Sequence, residues 1–426
     1  MINRAEYVER RNKLAKKLSK NSVSVVLSGE QKIRSNDTEY PYRQNSDFYY
    51  LTGFKEDKAA LVFVKKKKKV RVLLFVQKKD KKLELWNGKR LGEIKAKKRI
   101  LVDEVFSSDL FEEKLKEFLK DKKKVYFDLD SEDARAKSLK KLSKGFRTHE
   151  SISAIVQRMR LIKSNSEIKL IQKAIDITQE AHHKAMSFKK TGKKEYELQA
   201  KIEYIFKSSG AYSDAYTSIV ACGNSANTLH YVQNNKPLVE NALILIDAGC
   251  EYEYYASDIT RTIPVTGRFS EAQKELYNMV LDVQYEILRM IKPHAKRSQL
   301  QKRSEELLCE GMIRLGILKG KLKKLIKKQE HKKYYPHGIG HWMGIDVHDQ
   351  APYKDKIGKE IALKKGMVLT IEPGIYIDKN DKTVPKKYRG IGIRIEDDIL
   401  VTKNGCKNLS AKIAKTVREI EALGSR

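Results

Sequence analysis

Four short apolar runs in the first 150 positions, SVSVVL, AALVFV, VRVLLFV and KVYFDL, have the length and β-branched content of strands. Lys/Leu stretches between them, such as residues 110–119, repeat apolar positions at helical spacing. This first section therefore reads as a small α/β domain. Five consecutive lysines at 65–69 separate two of the runs and predict a solvated hairpin turn. Further on, in MRLIKSNSEIKLIQKAIDIT, Ser164 followed by Glu167 is a capping box, and Ile168, Ile171 and Ile175 follow at helical spacing. The domain boundary is expected just before this helix, giving domains 1–158 and 159–426. A second helix is expected to open on Ser270 and Gln273 and to bury Leu276, Met279, Val280, Val283 and Ile287. A third covers roughly residues 300–315. Beyond it Gly and Pro recur between β-rich runs, and no internal repeat is visible.

Composition narrows the class. At 426 residues the chain is long enough to build ordinary cores without staples. The longest apolar runs are far short of the ~18 residues of a membrane span, and the N-terminus lacks the apolar centre of a signal peptide. Cys222, Cys250, Cys309 and Cys406 are widely spaced and form no CxxC pair, which points to a reducing, cytoplasmic setting. The formal charge of +33 raises the question of nucleic acid. Residues 1–160 carry 42 basic and 23 acidic groups, and the rest carry 46 and 32. An excess spread over both halves, with no recognisable nucleic-acid module, favours a lysine-rich surface and no specific nucleic-acid partner.

The candidate chemistry lies in four segments of the second section. In LILIDAGCEYEYYASDITRTIPVTG an apolar strand ends on Asp247, and Asp258 opens another β-rich stretch eleven residues later. Gly249 and the tyrosines between fit a hairpin connection, which would set the two carboxylates near each other. Turn aspartates would look the same in isolation. In PHGIGHWMGIDVHD, His337, His341 and His348 fall within twelve positions, in a chain with nine histidines, and the interleaved glycines favour a turn around a ligand over a helical site. In MVLTIEPGIYI, Glu372 follows an apolar strand, where a carboxylate is costly unless paired or metal-bound. In RGIGIRIEDDILVT, Arg394 and Glu396 share one face of a strand and Ile391, Ile393 and Ile395 the other. Gathered together, Asp247, Asp258, His341, Glu372 and Glu396 would repel unless divalent cations neutralised them. One imidazole among hard oxygens suits Mn²⁺, Fe²⁺ or Co²⁺.

These motifs resemble those of bacterial aminopeptidase P, the Xaa-Pro aminopeptidase group of the creatinase, prolidase and methionine aminopeptidase superfamily. NDTEYPYRQNSDFYYLTGF resembles the family's N-terminal-domain signature, and LHY, IDAGCEYEYYASDITRTIPV, HGIGHWMGIDVHD, LTIEPGIYI and YRGIGIRIEDD follow in order and spacing. The resemblance implies an α/β N-terminal domain plus an α+β pita-bread (creatinase-like) catalytic domain. It implies two divalent metal ions, expected to be Mn²⁺, held by Asp247, Asp258, His341, Glu372 and Glu396, with Asp258 and Glu396 bridging. His230, His337, His348 and Arg394 would act around the substrate, with Tyr376 near it and Glu372 as acid/base for a hydroxide between the ions. One departure is Gly340, where serine is frequent in the family. The implied activity is release of the N-terminal residue from peptides with proline second. The alternatives are a prolidase acting on Xaa-Pro dipeptides or a non-catalytic pita-bread binding protein. The resemblance further implies a homo-oligomer, dimer or tetramer, with peptide substrates as partners and no membrane association.

Overall fold

The structure is a computed structural model and describes residues 2–146 and 148–424. The chain divides into two compact units, Met1–Arg160 and Leu161–Arg426. In the first, six strands form a mixed sheet in the order Glu104–Ser107, Lys69–Val76, Ala60–Lys66, Ser22–Leu27, Lys124–Phe127 and Thr148–Ser151. Alternate side chains of the middle strands, among them Val23, Val25, Val62, Leu73 and Phe75, bury one face against Phe111, Leu115 and Phe118. Phe111–Leu119 is the helix expected there. The family-like segment ending in LTGF forms a short capped helix, Ser46–Thr52. Asn45 caps its start, Gly53 closes it in the left-handed conformation, and buried Asp47 pairs with Arg160 at 2.7 Å.

The lysine run departs from its expectation. The turn itself is Lys67 and Lys68, since Lys66 pairs with Lys69 across the hairpin. Lys65, however, is buried and its Nζ donates to the carbonyls of Ala15 and Leu18, at 2.8 and 2.7 Å. Those carbonyls lie at the end of the helix Arg4–Lys17, where a cation satisfies groups that no helical N–H can reach.

The second unit is α+β. Its long helices, Asn165–Ser187 and Glu271–Met290, both begin with the capping boxes visible in the sequence. All five side chains assigned to the buried face of Glu271–Met290 are buried. The helix Arg297–Arg314 starts one turn earlier than the apolar pattern indicated. Against these helices lie short antiparallel sheets. Leu243–Asp247 sits between Ile219–Cys222 and Thr260–Pro264, with Asp247 opposite Thr260. Val368–Ile371 pairs with Asp397–Val401, which pairs in turn with Cys406–Asn408, while Gly374–Tyr376 pairs with Gly392–Arg394. Between Asp247 and Asp258 the chain makes a separate hairpin, Cys250–Tyr252 with Tyr255–Ala256. Every motif strand thus delivers its polar residue at or just beyond its end.

A buried ion network locks two of these sheets. Arg261 donates to Asp397 at 2.8 Å and to the carbonyls of Thr260, Glu396, Ile413 and Ala414. Lys415 reaches the other oxygen of Asp397 at 2.6 Å. Burial pushes the Asp397 carboxyl up, but Arg261 and Lys415 outweigh it and hold the group well below the usual carboxylate range. Replacing one partner of such a pair leaves a buried charge uncompensated, so Arg261→Met is expected to cost about 3–5 kcal/mol in denaturant unfolding near pH 7. Because the folded pKa is depressed, this stabilisation is complete above the unfolded carboxylate value near ~4. It is lost as pH falls towards the folded value, so the deficit of the variant is expected to shrink in acid.

Candidate metal centre and active site

The motif residues converge on one cleft of about 700 Å³ in the second unit, lined by His230, Asp247, Asp258, His337, His341, His348, Glu372, Arg394 and Glu396 among others. Asp258, Arg394 and Glu396 are buried, and Asp247 sits at the edge of burial. Ligating atoms fall into three overlapping groups, each within 4.8 Å: Asp247 with Asp258 and Glu396; His341 with Glu372 and Glu396; Asp258 with His341 and His348. Glu396 belongs to the first two groups and Asp258 to the first and third. That overlap is what two neighbouring cations sharing carboxylates would require.

Local structure fixes each group. His341 Nδ1 lies 3.1 Å from the Trp342 carbonyl, so the protonated Nδ1 donates there and Nε2 turns to Asp258 at 3.2 Å and Glu372 at 3.7 Å. The histidine loop rides on the strand Val368–Ile371: Thr370 N–H donates to the His341 carbonyl and Glu372 N–H to that of Ile339, both at 2.9 Å. At Gly340 a Cβ would stand 1.9 Å from the Thr370 carbonyl oxygen, so this backbone is built around glycine. The Thr370 hydroxyl donates to Glu372 at 3.3 Å, and that of Thr260 to Glu396 at 2.7 Å. Asp247 accepts from the Tyr216 hydroxyl at 2.6 Å and from Arg394 Nη2 at 2.7 Å.

A second chain of contacts runs beside the carboxylates. His337 Nδ1 faces the Gly338 carbonyl at 2.9 Å, leaving Nε2 to accept from the Tyr376 hydroxyl at 2.8 Å. Arg394 Nη1 donates to that same hydroxyl oxygen at 2.9 Å. Burial, reinforced by Arg394, lowers His337 to about 4, so it is neutral near pH 7. His348 is also lowered, by burial and by His341, whose ring lies 4.2 Å away.

The electrostatics fit a cation pair. Burial raises Glu372 to about 7 against the pull of His341 and Arg394, and burial together with neighbouring carboxylates raises Asp247 and Glu396. His341 is lowered by burial, but Asp258 and Glu372 more than reverse this and bring it to about 9. Left to themselves these groups hold extra protons to relieve mutual repulsion. Divalent cations would take the place of those protons, and four carboxylates with one imidazole suit hard or borderline ions.

Several site residues were not singled out from sequence: Tyr216, Thr260, Thr370, Asp398 and Arg297. Asp398 accepts the Asp258 N–H at 3.0 Å. Thr260 and Thr370 stand two positions from Asp258 and Glu372, so the period of a strand carried a signal for both. Tyr216 and Arg297 carried none.

A unit of long helices and short antiparallel sheets carrying such a carboxylate–histidine cleft has the make-up of a metal-dependent hydrolase. Residues 169–403 match the model of metallopeptidase family M24, and residues 7–126 match the aminopeptidase P N-terminal domain. The chain belongs to that family and carries its pita-bread fold. It is 40% identical to the Xaa-Pro aminopeptidase of Haemophilus influenzae, over 98% of this chain and 96% of the relative. It is also 40% identical to that of Escherichia coli, over 99% and 98%. The structure of zinc-substituted E. coli aminopeptidase P in complex with product superposes with a TM-score of 0.95 at 38% identity, covering 100% of this chain and 98% of that one.

Proposed function

We propose that this chain is a metal-dependent Xaa-Pro aminopeptidase, releasing the N-terminal residue from peptides whose second residue is proline. The observation that carries the reading is the cluster Asp247, Asp258, His341, Glu372 and Glu396 at one cleft, in a chain alike end to end to Xaa-Pro aminopeptidases. Asp258 and Glu396 are proposed as the shared ligands, Asp247 as completing one coordination shell and His341 with Glu372 the other. Mn²⁺ is the proposed ion. When bound, such a pair supplies an acidified water and Lewis-acid polarisation of the scissile carbonyl.

The chain's own residues do the rest. Glu372, near neutral pKa, can hold and return a proton at its carboxylate. His348 provides an imidazole on the cleft wall for substrate oxygen and nitrogen atoms, while neutral His337, both of whose ring nitrogens are engaged by Gly338 and Tyr376, orients the Tyr376 hydroxyl beside the substrate. His230 lines the same wall beside Leu229. Arg394 holds Asp247 and Tyr376 in fixed positions.

The reading is tested by parallel assays on Xaa-Pro-Xaa and Xaa-Pro peptides with Mn²⁺, where preference for the dipeptide would indicate a prolidase. His348 gives a separate test, because its ring nitrogen also falls in a ligand-like group with Asp258 and His341. His348→Ala is expected to cut turnover while metal content at saturating Mn²⁺ stays near wild type. Loss of a residue supporting a ligand weakens affinity by roughly 10–100-fold, which saturation overcomes. An empty site at saturation would make His348 a ligand.

Cytoplasmic location is proposed from the cysteine usage, and among the described residues no helix is long and apolar enough to cross a membrane. Self-association as a dimer or tetramer is supported by large exposed apolar side chains, Leu85, Trp86 and Ile94, on the helices Lys81–Asn87 and Gly92–Ile100. The basic surface is proposed to have no specific nucleic-acid partner.

A further inference from the structure

The cleft contains one cation that the chemistry above does not use. Arg297, at the start of the helix Arg297–Arg314, lines the same cleft as the carboxylate cluster. Its Nη1 donates to the carbonyl of Gly340, one residue before His341, at 2.9 Å. Its guanidinium lies 4.5 Å from the centre of the Tyr353 ring, another lining residue, which holds the planar group in place. Arg297 is thus fixed on two sides, half-buried, and still has donors to spare.

The other lining charges have partners within the protein. Arg394 is committed to Asp247, Tyr376 and Thr260. Asp349 is paired with Lys163 at 3.0 Å, both almost fully buried. The Coulombic influence of Arg297 reaches Glu360, but that carboxylate binds the backbone and hydroxyl of Ser298. Among the described residues no carboxylate forms an ion pair with Arg297. A preoriented guanidinium with no anionic partner, in a cleft built for peptides, is a receptor for a carboxylate. Its position between Gly340 and the segment 350–353, where Gln350 is exposed, puts it on the wall leading out of the cleft.

We propose that Arg297 is a specificity-determining residue that binds a carboxylate of the substrate downstream of proline. This rests on the aminopeptidase reading, since it needs a peptide that continues past the second residue. The carboxylate has two possible sources: the C-terminus of a tripeptide, or an Asp or Glu side chain at the third position.

The test uses the whole metal-loaded protein and two matched substrate pairs. One pair is Ala-Pro-Ala and its C-terminal amide; the other is Ala-Pro-Glu-Ala-amide and Ala-Pro-Gln-Ala-amide. A charge-assisted hydrogen bond corresponds to roughly a 10–100-fold effect, so wild type is expected to favour the carboxylate member of at least one pair by about tenfold in kcat/KM, chiefly through KM. The pair showing the preference identifies the source. In Arg297→Gln that preference should vanish, while kcat/KM for the neutral members stays within about threefold. Arg297→Lys, which keeps the charge and loses the fork, should retain part of it. The inference is overturned if wild type shows no preference in either pair, or if the preference survives in Arg297→Gln. It is also overturned if all four substrates fall equally, which would make Arg297 a strut for Gly340. If the glutamine variant folds poorly, Arg297→Lys carries the test: a reduced preference supports the inference, and an undiminished one overturns it. Absence of cleavage of all four peptides by wild type would instead refute the aminopeptidase reading.

Discussion

Removing the metal should abolish peptidase activity, and Mn²⁺ should restore it. The expectation follows from the cleft. Asp247, Asp258, Glu372 and Glu396 gather with Arg394 and the His341 imidazole as the counter-charges paired to them. A bound ion stabilises transition-state charge by several kcal/mol, so a metal-free protein should lose roughly 10³-fold or more in kcat/KM. Asp258→Asn and Glu396→Gln should be the most damaging single changes, because these are the two carboxylates that each belong to two of the three ligand-like groups, and a carboxylate has two oxygens with which to bridge. A neutral amide there weakens both proposed ion sites. Thermal unfolding gives a readout independent of turnover. An ion at ~1,000 times its Kd stabilises the folded state by about 4 kcal/mol, so wild type should melt higher with Mn²⁺ and the two variants should gain less. Proton release on metal uptake provides a third measurement. Glu372 near 7 and His341 near 9 hold protons at neutral pH that cations must displace, so titrating metal into weakly buffered protein at pH 7 should acidify it. Full activity after verified removal of metal would end the dinuclear reading.

Four of the five candidate ligands were legible because they end, follow or precede a strand whose apolar run stands out in sequence, and His341 because three histidines crowd one Gly-rich segment. Asp247 closes Leu243–Asp247, and Glu372 follows Val368–Ile371. Glu396 lies between Gly392–Arg394 and Asp397–Val401. A carboxylate at such a point has to be explained by something, and four of them in series point to one centre. The starts of Asn165–Ser187 and Glu271–Met290 were equally plain, since a capping box is a contact between residues three apart. What sequence could not supply was long-range pairing. That Tyr216 reaches Asp247, 31 positions away, depends on how a short loop folds across the sheet and leaves no periodic trace. Arg297 was read as preceding its helix because the apolar pattern starts at Leu300. In the folded chain Lys296 and Gln299 close the helix start instead, and Arg297 stands in the cleft. Lys65 shows the same limit from the other side. A run of five lysines looks uniformly solvated, yet strand alternation turns one of them inward onto a helix end.

Replacing proline by alanine in the second position of a substrate is expected to lower kcat/KM by roughly 10–200-fold, as the loss of ring methylenes from a shaped pocket does. Proline's nitrogen is tertiary, so the scissile amide has no N–H to offer and the ring fixes the backbone angle. A peptidase relying on that donor and on an extended backbone excludes such bonds. A site that accepts them needs a pocket for the ring and a donor for the departing nitrogen. The cleft offers both kinds of group. Leu229, Ala351, Pro352 and Tyr353 supply apolar wall, and His230 and His348 stand on the same surface as imidazoles able to donate or accept. The carboxylate cluster and its cations would engage the free amino end, so N-acetylation should remove cleavage altogether. Tripeptides and longer peptides should outperform Xaa-Pro dipeptides, because a dipeptide places its carboxylate directly on proline and forgoes contacts further along the wall. Steady-state kinetics on Ala-Pro-Ala, Ala-Ala-Ala, N-acetyl-Ala-Pro-Ala and Ala-Pro make all three comparisons under one condition. Equal rates on the proline and alanine tripeptides would remove the proline pocket from the reading, and a preference for Ala-Pro would turn the same metal ligands to prolidase chemistry.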